Sequence, residues 1–268
     1  MTTEKYLALR DGEVRKANAL IQKSRYSLST QQQKILLYLI SQIKPYDDDF
    51  KLYEFDIIDF CKVCGIDCSS GKNYETLKQQ IKQIADKSYW ITLEDGDTET
   101  LLRWIEKPYI KKRSGVIQIR LDNDMRPFLL KLKEHYTRYE LIYTLRFRCK
   151  YSIRLYELVK SVHFHDLAQY TVRYSVEALA GLIGAERYRQ YKDVKSRALS
   201  PAVQEINEYS DKDLTFEEIK TGRKVTAIEF TISTKDSLEK IKLLDRIEKE
   251  LGTDQMTLWD KMQERGCE

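Results

Sequence analysis

The sequence predicts an α+β fold in which a unit of three helices and a β-hairpin occurs twice. The first observation is an internal repeat, because the segment 55–65 aligns with the segment 174–184 at an offset of 119 residues. The second is that strand-like segments follow the helices of each copy. The third is composition, since only 10 Gly and 4 Pro among 268 residues argue against an all-β sandwich or long flexible linkers.

Both copies of the repeat have the signature of a short capped helix. Each begins with an aromatic residue followed by a helix N-cap residue, Asp56 in the first copy and Ser175 in the second. Each ends at a glycine, Gly65 or Gly184, as many helices do. Apolar residues recur between these ends on one helical face. The length of each segment suits the second helix of a helix-turn-helix.

The residues around the first copy predict the rest of that unit. Ser29 and Gln32 offer a capping box before a mostly buried helix over 35–40. Asn73 is predicted to cap a third helix with an apolar stripe at Tyr74, Leu77, Ile81, Ile84 and Ala85. Strand-like segments follow at 89–93, 101–105 and 116–121.

The second copy has the same surroundings. An apolar helix is predicted over 151–164 and a third helix from about 188 to 208, and strands at 214–219 and 224–232 are joined by a turn at Gly222. The apolar stripe of the third helix comprises Tyr191, Val194, Ala198, Ala202 and Ile206.

Two residues of this third helix fit an ideal helix poorly. Lys195 falls inside the apolar stripe, and Pro201 interrupts the backbone hydrogen bonds. We therefore expect a kink near Pro201, with the Lys195 side chain reaching out to solvent along its apolar stem.

Three helices followed by a hairpin make a winged helix, which is a helix-turn-helix plus a β-hairpin. The chain is therefore predicted to contain two tandem winged-helix domains, at 14–132 and 133–235, within the usual domain size. Residues 122–134 are predicted to form a short connecting helix. A charged helical tail is predicted over 236–268, with a helical period at Leu238, Ile241, Leu244 and Ile247.

The distribution of charge is more informative than its sum. The net charge is +4, from 46 basic and 42 acidic residues, which is too small to establish nucleic-acid binding. Residues 103–154 contain 14 Lys and Arg against 5 Asp and Glu, and residues 187–197 contain five basic residues and one acid. Acids gather instead at 47–49 and 94–99. This segregation predicts a basic face able to bind phosphate, with solvated helix faces as the alternative.

The winged-helix arrangement indicates where DNA would bind. The third helix enters the major groove, which is about 12 Å wide, and the hairpin lies on the phosphates. In the second domain we predict contacts from Arg187, Arg189, Lys192, Lys195, Ser196, Arg197, Lys220, Arg223 and Lys224. The first domain is predicted to bind more weakly, because acids balance much of its third helix; its candidates are Lys72, Lys78, Lys82, Lys111, Lys112 and Arg113.

One alternative is a metal-dependent rolling-circle nickase. His163 and His165 have the His–hydrophobic–His pattern of such enzymes, and Tyr170 is a candidate nucleophile. Those histidines would need to lie on a strand, so that both face the metal. Here they end an apolar helix without an acidic ligand cluster, so two partly exposed histidines are the preferred interpretation.

The remaining chemistry predicts a protein without cofactor, metal or catalytic activity. Cys61, Cys64 and Cys68 have no fourth ligand at a recognisable spacing, and the first two align with Ala180 and Ile183, which is typical of core positions. Neither GxxxxGK[ST] nor GxGxxG occurs. Sparse cysteines, the absence of a leader and the absence of a membrane-spanning apolar run predict a cytoplasmic protein.

Four segments resemble the replication initiator (Rep) proteins of iteron-containing, theta-replicating plasmids. They occur in the order of that family, between residues 14 and 235. They are Val14-Arg-Lys-Ala-Asn18 with Tyr26-Ser-Leu28; Tyr136-Thr-Arg-Tyr139 with Lys150-Tyr-Ser152-Ile-Arg154; Tyr191-Lys-Asp193-Val-Lys195-Ser-Arg197; and Lys224-Val-Thr-Ala-Ile-Glu-Phe230.

The resemblance implies an initiator that binds double-stranded origin repeats (iterons), opens the adjacent AT-rich duplex and helps to recruit the host replicative helicase, with the host initiator as a further partner. It implies that the second domain is the main DNA-binding domain, and that the first contributes dimerisation and accessory DNA contacts. It also implies a homodimer, in equilibrium with the monomer, that represses its own promoter. A winged-helix transcriptional repressor without initiator activity remains the alternative, because the residues alone do not separate the two.

Overall fold

The computed structural model describes residues 12–63, 71–93, 95–111, 115–162 and 167–264, with the backbone alone at 59, 62, 71–74 and 251–264. The elements of its first half are β1 (Glu13–Ala17), α1 (Asn18–Lys23), β2 (Ser24–Arg25), α2 (Thr30–Ser41), β3 (Tyr53–Asp56), α3 (Ile57–Val63), α4 (Gly71–Asp86), β4 (Ser88–Thr92), β5 (Glu99–Arg103), β6 (Tyr109–Lys111) and β7 (Val116–Ile119).

A 3-10 turn (Asn123–Met125) and the short helix α5 (Arg126–Leu129) lead into the second half, which confirms the predicted connecting helix. The elements that follow are β8 (Tyr136–Glu140), α6 (Ile142–Leu145), α7 (Lys150–Ser161), β9 (Gln169–Ser175), α8 (Val176–Ile183), α9 (Tyr191–Val194), a π turn (Lys195–Leu199), α10 (Ser200–Tyr209), β10 (Lys212–Thr221), β11 (Lys224–Thr234) and α11 (Ser237–Glu264).

The N-terminus of α2 has the predicted capping box. Ser29 Oγ accepts a hydrogen bond from the Gln32 backbone N–H at 3.2 Å, and Gln32 Oε1 accepts one from the Ser29 N–H at 3.1 Å. Two backbone N–H groups that lack a partner inside the helix are thus satisfied. The cap predicted for the third helix is wrong, because α4 begins at Gly71 and includes Asn73.

The internal repeat forms a strand followed by a capped helix in both halves. Asp56, at the end of β3, accepts a hydrogen bond from the Ile58 N–H at 2.8 Å, and Ser175, at the end of β9, accepts one from the Ala178 N–H at 3.1 Å. Both predicted N-caps are confirmed. Gly184 ends α8 with φ 74°, in the left-handed region that favours glycine. Its counterpart Gly65 lies outside the described residues.

The sheets show where the two halves differ. The second half has one antiparallel sheet in the order β10-β11-β9. The first half has a similar sheet, β3-β7-β6, and a second one, β2-β4-β5. The strands predicted at 89–93 and 101–105 therefore form a separate hairpin that pairs with β2, and the hairpin corresponding to the second-half wing is β6–β7.

A sheet and a buried ionic network join the two halves. β1 pairs with β8, so that Val14 lies opposite Tyr139. Beneath this sheet, Glu157 of α7 accepts hydrogen bonds from Lys16 Nζ at 2.6 Å and from the Tyr139 hydroxyl at 2.5 Å. Glu157 has no exposed surface, and Lys16 is only 3% exposed. The single carboxylate thus connects three elements that are distant in sequence.

Arg154, one helical turn before Glu157, extends the network. One guanidinium nitrogen lies 3.6 Å from Glu157 Oε2 and donates a hydrogen bond to the Tyr26 hydroxyl at 2.8 Å. The same guanidinium lies 4.2 Å from the centre of the Tyr26 ring. It also donates to the backbone carbonyls of Ile21, Ser24 and Leu182. Most of the guanidinium's donors are therefore used, as a buried guanidinium requires.

The tail helix α11 packs against the second half at its N-terminal end. The predicted tail is helical over Ser237–Glu264, and Leu243 and Ile247 are buried, whereas Leu238 and Ile241 are exposed. Glu250 forms a 2.8 Å ion pair with Arg146, and the Arg246 guanidinium donates to the backbone carbonyl of Glu208.

The acidic run at 47–49 is not segregated from basic residues as expected. Each aspartate forms an ion pair with a nearby cation: Asp47 with Lys51, Asp48 with Lys131, and Asp49 with Arg126. Part of the basic excess in residues 103–154 is therefore neutralised by these carboxylates. Arg154, another basic residue of this stretch, is buried.

Cys61 is buried, as predicted for a core position, but it is disulfide-bonded, which corrects the expectation of a reduced thiol there. Cys149 is a free thiol, and Cys64 and Cys68 lie outside the described residues. Within the described ranges no helix combines the length and apolarity needed to cross a bilayer.

Replacement of Glu157 by Ala should destabilise the fold strongly, because Lys16 and Arg154 would become buried cations without a counter-ion. We expect the free energy of unfolding in urea to fall by about 3–5 kcal/mol. As a control, Asp86→Ala removes an exposed ion pair with Lys82 and should cost at most about 0.5 kcal/mol. Similar losses for the two variants would contradict this account of the network.

Candidate nucleic-acid interface

Residues 191–209 form one uninterrupted helical segment, which we call the recognition helix. Its inward side consists of Val194, Ala198, Leu199, Ala202 and Ile206, all at most 2% exposed. This confirms the predicted apolar stripe, of which Tyr191 is only partly buried, although the helix begins three residues later than expected. The outward side of its N-terminal half is exposed and carries Lys192, Lys195, Ser196 and Arg197.

The recognition helix is irregular immediately before Pro201, as the sequence predicted, and the irregularity is a π turn. The Ser200 N–H donates to the Lys195 carbonyl, five residues earlier. In a regular α-helix the carbonyl of Arg197 would require an N–H from residue 201, and proline has none. The wider turn accommodates this missing donor, and such turns are frequent at functional sites.

Glu218 of β10 fixes the wing, which is the β10–β11 hairpin, to the recognition helix. Its Oε1 accepts hydrogen bonds from Lys195 Nζ at 2.6 Å and from the Tyr191 hydroxyl at 2.9 Å. The bonds from Lys195 and Tyr191 lower the pKa of this carboxyl. Lys195 does reach out as predicted, with its ammonium 6.0 Å from the Phe216 ring centre. Its charge, however, is paired within the protein.

The wing ends in a compact basic tip. Lys220, Arg223 and Lys224 are all exposed there, and no ion pair to any of them occurs among the described residues. Gly222 has φ 62°, so the tight turn between the two strands favours glycine at this position. The three cations lie together at the far end of a hairpin whose base is fixed by Glu218.

Arg187 and Arg197 lie near the ring of Tyr188. The Arg187 guanidinium carbon is 4.7 Å from the ring centre and that of Arg197 is 6.0 Å away. Arg187 also donates a hydrogen bond to the Tyr188 hydroxyl at 2.5 Å. The Arg197 guanidinium lies 3.5 Å from the Asp193 carboxylate. Because this ion pair is exposed it is weak, and Arg197 remains able to bind another anion. Arg189 and Lys192 are exposed and form no ion pair within the described ranges.

The first-half candidates are more often paired with acids. Lys78 lies 3.4 Å from Glu75, and Lys82 lies 2.5 Å from Asp86, both on α4. Lys111 on β6 lies 3.4 Å from Glu54. The Lys72 side chain, Lys112 and Arg113 are outside the described residues. The geometry agrees with the predicted balance of charge on this helix.

Comparison with known proteins identifies the two halves. Residues 13–160 match the family described as "Initiator Replication protein, WH1", and residues 175–232 match "Initiator Rep protein, WH2". The chain belongs to this family of initiator replication proteins. Its fold is therefore two tandem winged-helix domains, WH1 and WH2, as the sequence predicted.

Two relatives extend the comparison. A curated "Replication initiation protein" of Escherichia coli is 21% identical over 247 residues, covering 90% of this chain and 76% of that protein. The crystal structure of the Pi initiator protein in complex with iteron DNA superposes with a TM-score of 0.68 at 17% identity, covering 85% of this chain and 99% of that one. At this identity, the similarity to the Pi initiator protein shows a shared fold.

The nickase alternative is not favoured by the position of Tyr170. Its side chain is 6% exposed and its hydroxyl donates to the Val159 carbonyl at 2.9 Å, so it is not presented to a phosphate. His163 and His165 lie outside the described residues. Within those that are described, no three His, Cys, Asp or Glu side chains cluster as metal ligands.

Sequence reasoning missed two basic residues of WH1, Lys87 and Lys150, whose ammonium groups both donate to Ser27. Lys150 falls inside the basic stretch 103–154, which was the available signal. Neither residue is on a predicted recognition helix or wing, so the winged-helix pattern did not single them out.

The Glu218 contacts predict that Glu218→Ala loosens the wing. Loss of two charge-assisted hydrogen bonds should lower the free energy of unfolding by about 1–2 kcal/mol and accelerate amide hydrogen exchange in residues 219–224. Glu217→Ala, at the neighbouring exposed position, is the control. Since the pKa of Glu218 is lowered, the wild-type advantage should be complete above the usual glutamate pKa and should decline as the pH falls from there through the lowered pKa. An unchanged exchange rate would show that Glu218 does not fix the wing.

Proposed function

We propose that this protein is a sequence-specific DNA-binding initiator of plasmid replication, which binds repeated origin sequences through WH2. The observation that carries the proposal is the exposed side of the recognition helix. Lys192, Ser196 and Arg197 point away from the core on a helix whose opposite side is completely buried. Family membership and the iteron-bound relative support it.

In the proposed complex the N-terminal half of the recognition helix lies in the major groove. Arg197 and Lys192 are able to donate to guanine O6 and N7, and Ser196 is able to bond either to a base or to phosphate. The exposed wing tip contacts the phosphate backbone beside the groove. Because Glu218 connects the helix and the wing, the two contacts are placed together and less ordering is required on binding.

We also propose that the protein has no catalytic activity or cofactor of its own and acts by deforming DNA and recruiting partners in the cytoplasm. Binding at several repeats would open the adjacent AT-rich duplex, and the host replicative helicase and initiator would act there. The buried Tyr170 supports the absence of strand cleavage. A transcriptional repressor with the same DNA contacts is the second candidate function, and autorepression would add this role to the initiator.

A homodimer in equilibrium with the monomer is the oligomeric state that we propose, with WH1 providing the contact. The β2-β4-β5 sheet supports this, because β5 is an edge strand. Trp90 and Leu101 lie opposite each other on β4 and β5 and are 57% and 47% exposed. An exposed apolar pair beside an unpaired strand edge favours association with a second copy.

Substitutions in the recognition helix should weaken DNA binding more than a substitution in α4. We expect Lys192→Ala and Arg197→Ala each to reduce affinity for origin-repeat DNA at least about fivefold, since a good base contact is worth about 1–3 kcal/mol. Lys78→Ala, which breaks an exposed ion pair, should reduce it less than about threefold. Fluorescence anisotropy at several salt concentrations measures the effect. Equal losses in both domains would contradict the assignment of WH2 as the main DNA-binding domain.

The initiator and repressor candidates are separated by a replication assay. The gene is supplied in trans to an origin fragment that lacks it, and copies of the fragment are counted. Replication with wild type and its loss with Arg197→Ala supports initiation. Binding of the fragment without any replication would identify a repressor, and a strand break requiring Tyr170 would identify a nickase.

Trp90→Glu should shift the oligomeric equilibrium to the monomer in analytical ultracentrifugation, because a charge replaces the apolar contact. Tyr46→Glu is the matched control, since Tyr46 is an exposed aromatic residue, 78% accessible, away from this sheet. The affinity of the monomer for a single repeat should be unchanged by Trp90→Glu. Dimerisation that is unaffected by Trp90→Glu would exclude this surface.

A further inference from the structure

Two lysines from distant parts of the chain meet at Ser27, in the segment between β2 and α2. Lys87 follows α4, and its Nζ donates to the Ser27 carbonyl at 3.1 Å and to Gln32 Oε1 at 3.0 Å. Lys150 is the first residue of α7, and its Nζ donates to Ser27 Oγ at 3.2 Å. Both ammonium groups are therefore held in place by neutral oxygen atoms.

Neither lysine has a carboxylate partner in the part of the chain that the structure describes. No ion pair of Lys87, Lys150 or Arg187 occurs among the described residues, and the lysine ammonium groups are partly desolvated. Burial lowers the pKa of both lysines, and the positive charges of Arg187 and Lys87 lower that of Lys150 further. Fixed like charges without a counter-ion constitute a site at which an anion would be stabilised.

The cleft beside Lys87 is lined by neutral residues together with two basic side chains and one acidic side chain. A cleft of about 230 Å³ is lined by Lys87 together with Arg25 and Glu186. Glu186 is the acid of this lining, and it forms no ion pair with Arg25 or Lys87 in the described part of the chain. The cleft therefore keeps a net positive charge, and it lies between residues of WH1 and a residue of WH2.

The lysines are continuous with the recognition-helix surface. Lys150 lies 4.8 Å from the Tyr151 ring centre, and the Tyr151 ring is 6.3 Å from that of Tyr188. Tyr188 in turn contacts Arg187 and is near Arg197. Tyr151 is itself buried, and the charges of both Arg187 and Lys87 act on Lys150, so the three cations form one basic region between α4 in WH1 and the segment before the recognition helix in WH2.

We propose that Lys87, Lys150 and Arg187, the junction cluster, bind backbone phosphates of the DNA segment that passes between the two winged-helix domains. This inference rests on the proposed function and adds a contact that belongs to neither recognition helix nor wing. The phosphates supply the counter-charge that the described residues do not provide at this position. The contact is independent of sequence, since it involves no base, and it places both domains on one duplex.

The test measures affinity against salt concentration for wild type and the double variant Lys87→Gln/Lys150→Gln, on a duplex containing one origin repeat and on a random duplex. Each phosphate contact contributes about 0.9 to the slope of log K against log salt. We expect the slope to fall by about 1–2 for both duplexes, with the ratio of specific to random affinity unchanged. The double variant Lys87→Arg/Lys150→Arg, which keeps both charges, should restore most of the slope.

Controls separate this inference from the fold and from the proposed function. Lys242→Gln, an exposed lysine on α11, should leave the slope unchanged, and urea unfolding should show that both double variants remain folded. A slope that is unchanged by Lys87→Gln/Lys150→Gln, or equally reduced in the arginine variant, would overturn the junction cluster. Failure of wild type to prefer the repeat over random DNA would instead overturn the proposed function, while the slope on random DNA would still test the cluster.

Discussion

The packing of β1 and β8 on helix α7 depends on one buried carboxylate. Glu157 accepts hydrogen bonds from the first strand of the chain and from the strand after the connecting helix, and it lies beside Arg154 on its own helix. Burying these charges has a desolvation cost, so the network is better understood as a specification of geometry than as a large net source of stability. Any displacement of β1 or β8 from α7 would leave at least one buried polar or charged group without its partner.

A second constraint acts within WH2. The recognition helix has a buried side, an exposed basic side and a π turn before Pro201, and Glu218 bonds it to the wing. The C-terminal half is held in turn by Glu205, whose carboxylate accepts hydrogen bonds from the Arg148 and Cys149 backbone N–H groups at the start of α7. The orientation of the exposed side chains is thus determined by contacts on three sides of the helix.

The sequence was sufficient for those features that depend on local pattern. The N-caps at Ser29, Asp56 and Ser175 and the stripe of the recognition helix follow from residue type and spacing, and the structure contains them. Features set by tertiary partners were not predictable. Nothing in the sequence indicated that Lys195 lies 2.6 Å from Glu218, which is distant in the chain. Lys87 and Lys150 are 63 residues apart in the chain, and only the fold brings both to Ser27. Leu238 and Ile241 follow the helical period of the tail, yet both side chains are exposed.

The close approach at Gly184 has a consequence for the spacing of the target sequence. A Cβ at this position would lie 2.8 Å from the Tyr26 carbonyl oxygen, so the backbone of WH2 is in direct contact with that of WH1. Domains in such contact have little freedom to slide along a duplex independently. Each added base pair turns the groove by about 34°. If both domains bind one repeat, as proposed above, a single insertion within the repeat would carry half of the site out of rotational phase with the protein.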